Sequence, residues 1–134
     1  MSDELRWKQR FRNFEKAFFA FQRRMDDYEK DPESESHQMA LVQGYEIIIE
    51  LAWKVMKDYL QNEGYDINTG KQAIRQAYQI EMIREGEIWL QALDNRNLAS
   101  HTYDENLLNT LISFITEQFY PLVRDFYFDL QKES

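Results

Sequence analysis

The chain has 134 residues, 43% of them hydrophobic and 30% charged, which is the make-up of a soluble globular protein able to close one apolar core. The absence of cysteine excludes a disulfide framework, a thiol nucleophile and a thiolate zinc site. The formal net charge of −8 disfavours non-specific nucleic-acid binding. Met1-Ser2-Asp3-Glu4-Leu5-Arg6 lacks the apolar stretch of a signal peptide, and no later run nears the roughly 20 apolar residues of a membrane helix. The expected location is therefore cytoplasmic, away from any membrane.

Four glycines and two prolines are too few for the turns of a β-rich fold, so the composition favours long helices. The first is marked by Phe11, Phe14, Phe18, Phe21, Met25 and Tyr28, recurring at steps of three and four along one stripe. Arg6, Lys8, Arg10 and Arg12 lend its start a basic character, read as a solvated helix face. Asp31-Pro32-Glu33-Ser34 ends it, because proline disfavours helical geometry in the preceding residue.

A second helix is predicted from about 36 to 62. Its apolar positions, from Leu41 and Val42 through Ile48, Ile49 and Trp53 to Leu60, exceed a single stripe, which implies contacts on two sides. Gln43, Glu50, Lys54 and Lys57 mark its polar face, with Glu50 and Lys54 spaced for a surface ion pair. Gly44 reflects either a close helix contact or plain tolerance, and Gly64 is a C-terminal stop. Short helices follow over about 69–78 and from near Glu85. The last helix begins around Asp104, with a stripe of Leu108, Leu111, Ile115, Phe119, Leu122 and Phe126 supported by Ile112, Val123 and Leu130. Pro121 is expected to kink it. The reading is all-α: one domain over 1–134, an up-and-down bundle of four to five helices.

Between the fourth and last helices lies a polar stretch, Asp94-Asn95-Arg96-Asn97-Leu98-Ala99-Ser100-His101-Thr102-Tyr103-Asp104-Glu105. Within eight residues it offers a permanent planar cation, an imidazole that exchanges protons near neutrality, and a phenol, a set suited to phosphate chemistry. On a continuous helix Arg96 and His101 would stand about 140° apart, so a turn or a symmetric dimer is needed to bring them together. The same stretch also suits an interhelical connection, with Asp104 as an N-cap. His37, near Pro32, reads as a surface loop residue. Glu46 and Glu50 are a carboxylate pair without a companion Glu-x-x-His, so no metal site is expected, nor is there a glycine-rich phosphate loop.

Arg96-x4-His101-x-Tyr103 resembles the Arg-x4-His-x-Tyr signature of HepT-type HEPN proteins, and its surroundings resemble those of the nucleotidyltransferase substrate-binding protein family within that group. Two further blocks agree in order: Tyr45-Glu46 through Glu50-Leu51-Ala52-Trp53-Lys54 to Gly64, and Ala73-Ile74-Arg75-Gln76-Ala77-Tyr78 followed by Gly86-Glu87-Ile88-Trp89-Leu90. Asn68-Thr69-Gly70 departs from the family's frequent Ser-Pro at a helix start.

The resemblance implies a homodimeric helical bundle that partners a separate minimal nucleotidyltransferase and allows a heterotetramer, with no cofactor of its own. It further implies a toxin–antitoxin component that cleaves RNA without metal. Arg96 and His101 would then be catalytic, Asp94, Asn97 and Ser100 would line the site, and Tyr103 would support it or be adenylylated. The alternative that it implies is a non-catalytic subunit presenting a nucleotide or other substrate to the nucleotidyltransferase.

Overall fold

Serine hydroxyls start both long helices. The computed structural model describes residues 2–134, with α1 over Asp3–Lys30 and α2 over Glu35–Asn62. Ser2 and Ser34 accept the backbone N–H groups of Leu5 and His37 at 3.1 and 3.3 Å, filling donors that a first helical turn leaves open. His37 therefore sits half-buried in the first turn of α2, not in the loop expected for it. At the far end Gly64 takes φ +98°. The N–H groups of Gly64 and Tyr65 bond the carbonyls of Gln61 and Leu60, both at 3.0 Å, closing a Schellman cap.

The four-residue connection folds α2 back along α1 as an antiparallel hairpin. Gly44 settles there as a close contact: a Cβ would stand 3.1 Å from the Phe21 ring and 3.2 Å from Arg24 Cδ. Across the same seam Arg10 Nε meets the carboxylate of Asp58 at 2.8 Å, and Asp58 is only 3% exposed. Arg6 and Lys8 pair with Asp3 and Glu4 at the surface. Much of the basic N-terminal character is thus neutralised within the chain.

α3 spans Gly70–Gln79, and the hydroxyl of Thr69 caps it by accepting the Gln72 N–H at 3.2 Å, which explains why Thr-Gly serves here. α4 spans Gly86–Asn95. The last rod comprises α5 (Glu105–Phe114), a π-turn (Ile115–Phe119) and α6 (Tyr120–Gln131). Counted as one helix, this rod is the fifth α-helical element among the described residues, beside a short 3-10 helix between α4 and α5, and every regular element there is helical.

The expected disturbance at Pro121 takes the form of that π-turn, in which the Tyr120 N–H bonds the Ile115 carbonyl five residues back. Widening the turn ahead of Pro121 relieves the crowding of its ring and shifts the inward register by about one residue. Val123 consequently becomes fully buried, while Leu122, expected on the inner stripe, is half-buried.

Rings hold the layers together. Phe11 and Phe18 stack on Tyr127 with centroids 5.7 and 4.6 Å apart, and Trp89 meets Phe119 and Phe126 edge-on at 5.5 and 5.6 Å. Two tyrosine hydroxyls end on carboxylates: Tyr127 on Glu15 at 2.5 Å and Tyr59 on Glu133 at 3.0 Å. Burial, reinforced by these bonds, drives the Tyr127 phenol up and Tyr59 to about 12, and burial above all raises Tyr45.

An unfolded tyrosine ionises near 10, so the neutral phenols favour the fold fully below pH ~10 and lose that contribution as pH rises through the folded values. Urea unfolding from pH 8 to 12 should show stability falling from about pH 10 upward, more shallowly in Tyr127→Phe than in the wild type. Equal slopes in both would contradict this assignment.

Candidate functional site

The polar stretch is anchored before it begins. The buried Tyr45 hydroxyl on α2 donates to the carbonyl of Ala92, fixing the last turn of α4 against the middle of α2. The chain then tightens into a 3-10 helix over Arg96–His101, and Asp104 restarts the α-helix by accepting the N–H groups of Asn106 and Leu107 at 3.0 and 3.2 Å. The reading of Asp104 as an N-cap holds.

A 3-10 helix turns 120° per residue, so two side chains five apart diverge by about 120°. Arg96 points back to α2, where its Nη1 forms an ion pair with Glu50 Oε1. The other oxygen of Glu50 accepts the Trp53 indole N–H at 3.2 Å. His101 faces outward, with Nδ1 3.2 Å from the Tyr103 hydroxyl and the rings edge to face at 5.8 Å. Among the described residues no hydrogen bond links Arg96 to His101. One chain therefore brings His101 to Tyr103 and Arg96 to Glu50, with no hydrogen bond joining the two pairs among the described residues.

Both pairs reach solvent. The Arg96 side chain is 38% exposed and commits one donor to Glu50, leaving the rest of its fork for an anion. Tyr103 is 83% exposed, and His101, Asp94, Asn97 and Ser100 are exposed as well. Ser100 Oγ donates to the Asn97 carbonyl at 3.2 Å, a local bond that steadies the turn. Tyr103 and Thr102 also border a groove of about 630 Å³ that Glu33, Glu35 and Glu105 make acidic. No group of three or more His, Asp or Glu side chains is placed to hold a metal ion among the described residues, and no helix there is long and apolar enough to cross a membrane.

Two residues of this arrangement were not singled out as site residues in the sequence. Glu50 does not pair with Lys54 as its spacing suggested; it turns to Arg96, 46 positions away, while Lys54 Nζ lies 5.8 Å from the Trp53 ring centre. Trp53 supplies the second bond to Glu50. Their only signal was to stand together in a block resembling the family, and an i,i+4 rule cannot see a partner on another helix.

A model of the family described as "nucleotidyltransferase substrate binding protein like" matches residues 9–132, and the chain belongs to that family. The protein named probable ribonuclease HepT of Haemophilus influenzae is 35% identical over 71 residues, covering 48% of this chain and 47% of that relative. The match thus spans about half the length of that curated relative. A crystal structure of a Thermus thermophilus protein superposes with a TM-score of 0.75 at 27% identity, over 87% of this chain and 98% of that one. The helical bundle is accordingly a fold already seen in a solved protein.

The exposure pattern is directly testable with a tyrosine-nitrating reagent followed by peptide mass spectrometry. Tyr103 and Tyr78, both well exposed, should be modified first, and the buried Tyr45 and Tyr127 last. Protection of Tyr103 in the isolated chain would mean that a second surface covers it.

Proposed function

We propose that this chain is the helical half of a HepT-type pair: it binds a separate minimal nucleotidyltransferase and, as a symmetric homodimer, cleaves RNA without metal. The observation that carries the reading is the divergence of Arg96 and His101 on the 3-10 turn, both still open to solvent. A site using both side chains is then completed by a second copy, Arg96 from one and His101 from the other, as two-fold symmetry provides. The chain would act in the cytoplasm as part of a toxin–antitoxin system, with two copies of each component forming a heterotetramer.

The chemistry follows from the residues. His101 takes the proton of a ribose 2′-hydroxyl, and the freed oxygen attacks the adjacent phosphorus. Arg96 stabilises the charge gathering on the phosphate oxygens. The imidazolium returns its proton to the departing 5′-oxygen, leaving a cyclic phosphate on one fragment and a hydroxyl on the other. Tyr103 is the proposed point of control. Transfer of an adenylyl group from ATP by the partner would join the phenol oxygen to phosphorus and release pyrophosphate. That group would then stand where the hydroxyl now lies, 3.2 Å from His101 Nδ1, and block the imidazole.

A second reading is favoured by the net charge of −8 and by the acidic groove beside Tyr103, both unfavourable to avid RNA binding. In it Arg96 and His101 hold a nucleotide phosphate for the partner, and the chain performs no catalysis.

Incubating the purified chain with single-stranded RNA in EDTA separates the two. The ribonuclease reading expects cleavage with cyclic phosphate ends, lowered by about 10²–10⁴ in His101→Ala and strongly in Arg96→Ala. A folded dimer that cleaves nothing would favour the substrate-binding subunit. Cleavage that persists at the wild-type rate in both variants would overturn the assignment of these residues.

A further inference from the structure

The geometry points to Glu50 as a positioning residue for Arg96, itself held in place by the indole of Trp53. This inference rests on the reading of Arg96 as the phosphate-stabilising group. Arg96 lies on a short 3-10 segment with none of its own side chains buried, a weak platform for a long flexible side chain. A free arginine would sample many rotamers there, and fixing it against a developing phosphate charge would cost that freedom at each turnover.

The chain removes the freedom beforehand. Glu50 projects from the interior of α2, the helix richest in buried side chains, and its carboxylate takes Arg96 Nη1 on one oxygen and Trp53 Nε1 on the other. Trp53 is three residues on, so the Glu50–Trp53 bond lies along one face of the same helix. The Trp53 ring is in turn wedged at the start of α3, 3.3 Å from where a Cβ on Gly70 would stand. The guanidinium is thereby referred to the rigid helix and not to the turn that carries it. The pair is about one-third exposed on each side, so its worth lies in direction more than in stability. A carboxylate close to a phosphate site is electrostatically unfavourable, and its presence here needs a compensating role such as this one.

The test reads Arg96 itself as well as turnover, in the full-length chain. Nitrogen–proton NMR follows the Trp53 indole and Arg96 guanidinium signals in the wild type, Glu50→Ala, Glu50→Gln and Trp53→Phe, and RNA cleavage is measured in the same samples. In Glu50→Ala the indole signal should move and the Arg96 signal should merge with those of mobile arginines. The cleavage rate constant should drop about 100-fold, with the pH profile kept in place because His101 is untouched. Glu50→Gln keeps one acceptor oxygen, enough for Arg96 but not for Trp53 as well, and should recover the rate in part, to about the level of Trp53→Phe. Trp53→Phe removes the donor together with part of the ring that packs near Gly70, and should fall about tenfold.

An unchanged Arg96 signal in Glu50→Ala overturns the inference, as does a changed signal with undiminished cleavage. Should Glu50→Ala not fold, Trp53→Phe carries the same decision. If the wild type cleaves no RNA, the ribonuclease reading fails separately, and the Arg96 signal alone decides whether Glu50 positions it.

Discussion

α2 carries apolar side chains over more of its circumference than one neighbour can cover, and burying that surface organises the other helices. α1 takes one flank with its phenylalanine stripe, while α3, α4 and α5 gather on the others. Burial of apolar area supplies the main favourable term for such a domain, and the ring-to-ring contacts through Tyr127, Phe119 and Trp89 fix which arrangement satisfies it. Only a narrow edge of α2 remains open, bearing Glu46, Glu50 and Lys54 together with the exposed Ile47. The 3-10 turn crosses near that edge, so a core-building helix also supplies the counter-charge for Arg96.

The acidic balance of the chain shapes what its cations do. Arg10 neutralises the buried Asp58, Arg6 and Lys8 pair with Asp3 and Glu4, and Arg96 pairs with Glu50. Removing Arg10 would strand a buried carboxylate, a change that typically costs about 3–5 kcal/mol, so this pair is structural even if it adds little net stability. Long-range attraction for a polyanion is correspondingly weak. On the proposed reading a phosphate group is held by local geometry, the divided arrangement of Arg96 and the His101–Tyr103 pair.

Much of the architecture was legible in the sequence because it follows local rules. The phenylalanine spacing placed α1, the serine and proline punctuation placed the break before α2, Gly64 placed its end, and Asp104 placed the cap of α5. What stayed hidden depends on partners distant in sequence or on a change of helical pitch. Periodicity assumes a constant 3.6-residue repeat and so assigned Leu122 inward, where the π-turn ahead of Pro121 substitutes Val123. The i,i+4 rule gave Glu50 to Lys54, because the competing Arg96 lies beyond any local window. For Arg96 and His101 the residue types were visible and the angle between them was not. A 3-10 turn points them in different directions much as a continuous α-helix would, which is why the proposed site pairs them across a two-fold axis.

The proposed shared site is tested most directly by subunit complementation. Arg96→Ala and His101→Ala chains, each inactive alone, are mixed, allowed to exchange subunits, and assayed for cleavage of single-stranded RNA. If Arg96 of one copy works with His101 of the other, half of the exchanged dimers hold one intact site, and the mixture recovers about a quarter of wild-type activity. A mixture that exchanges subunits and stays as inactive as its components would contradict a site shared across the two-fold axis.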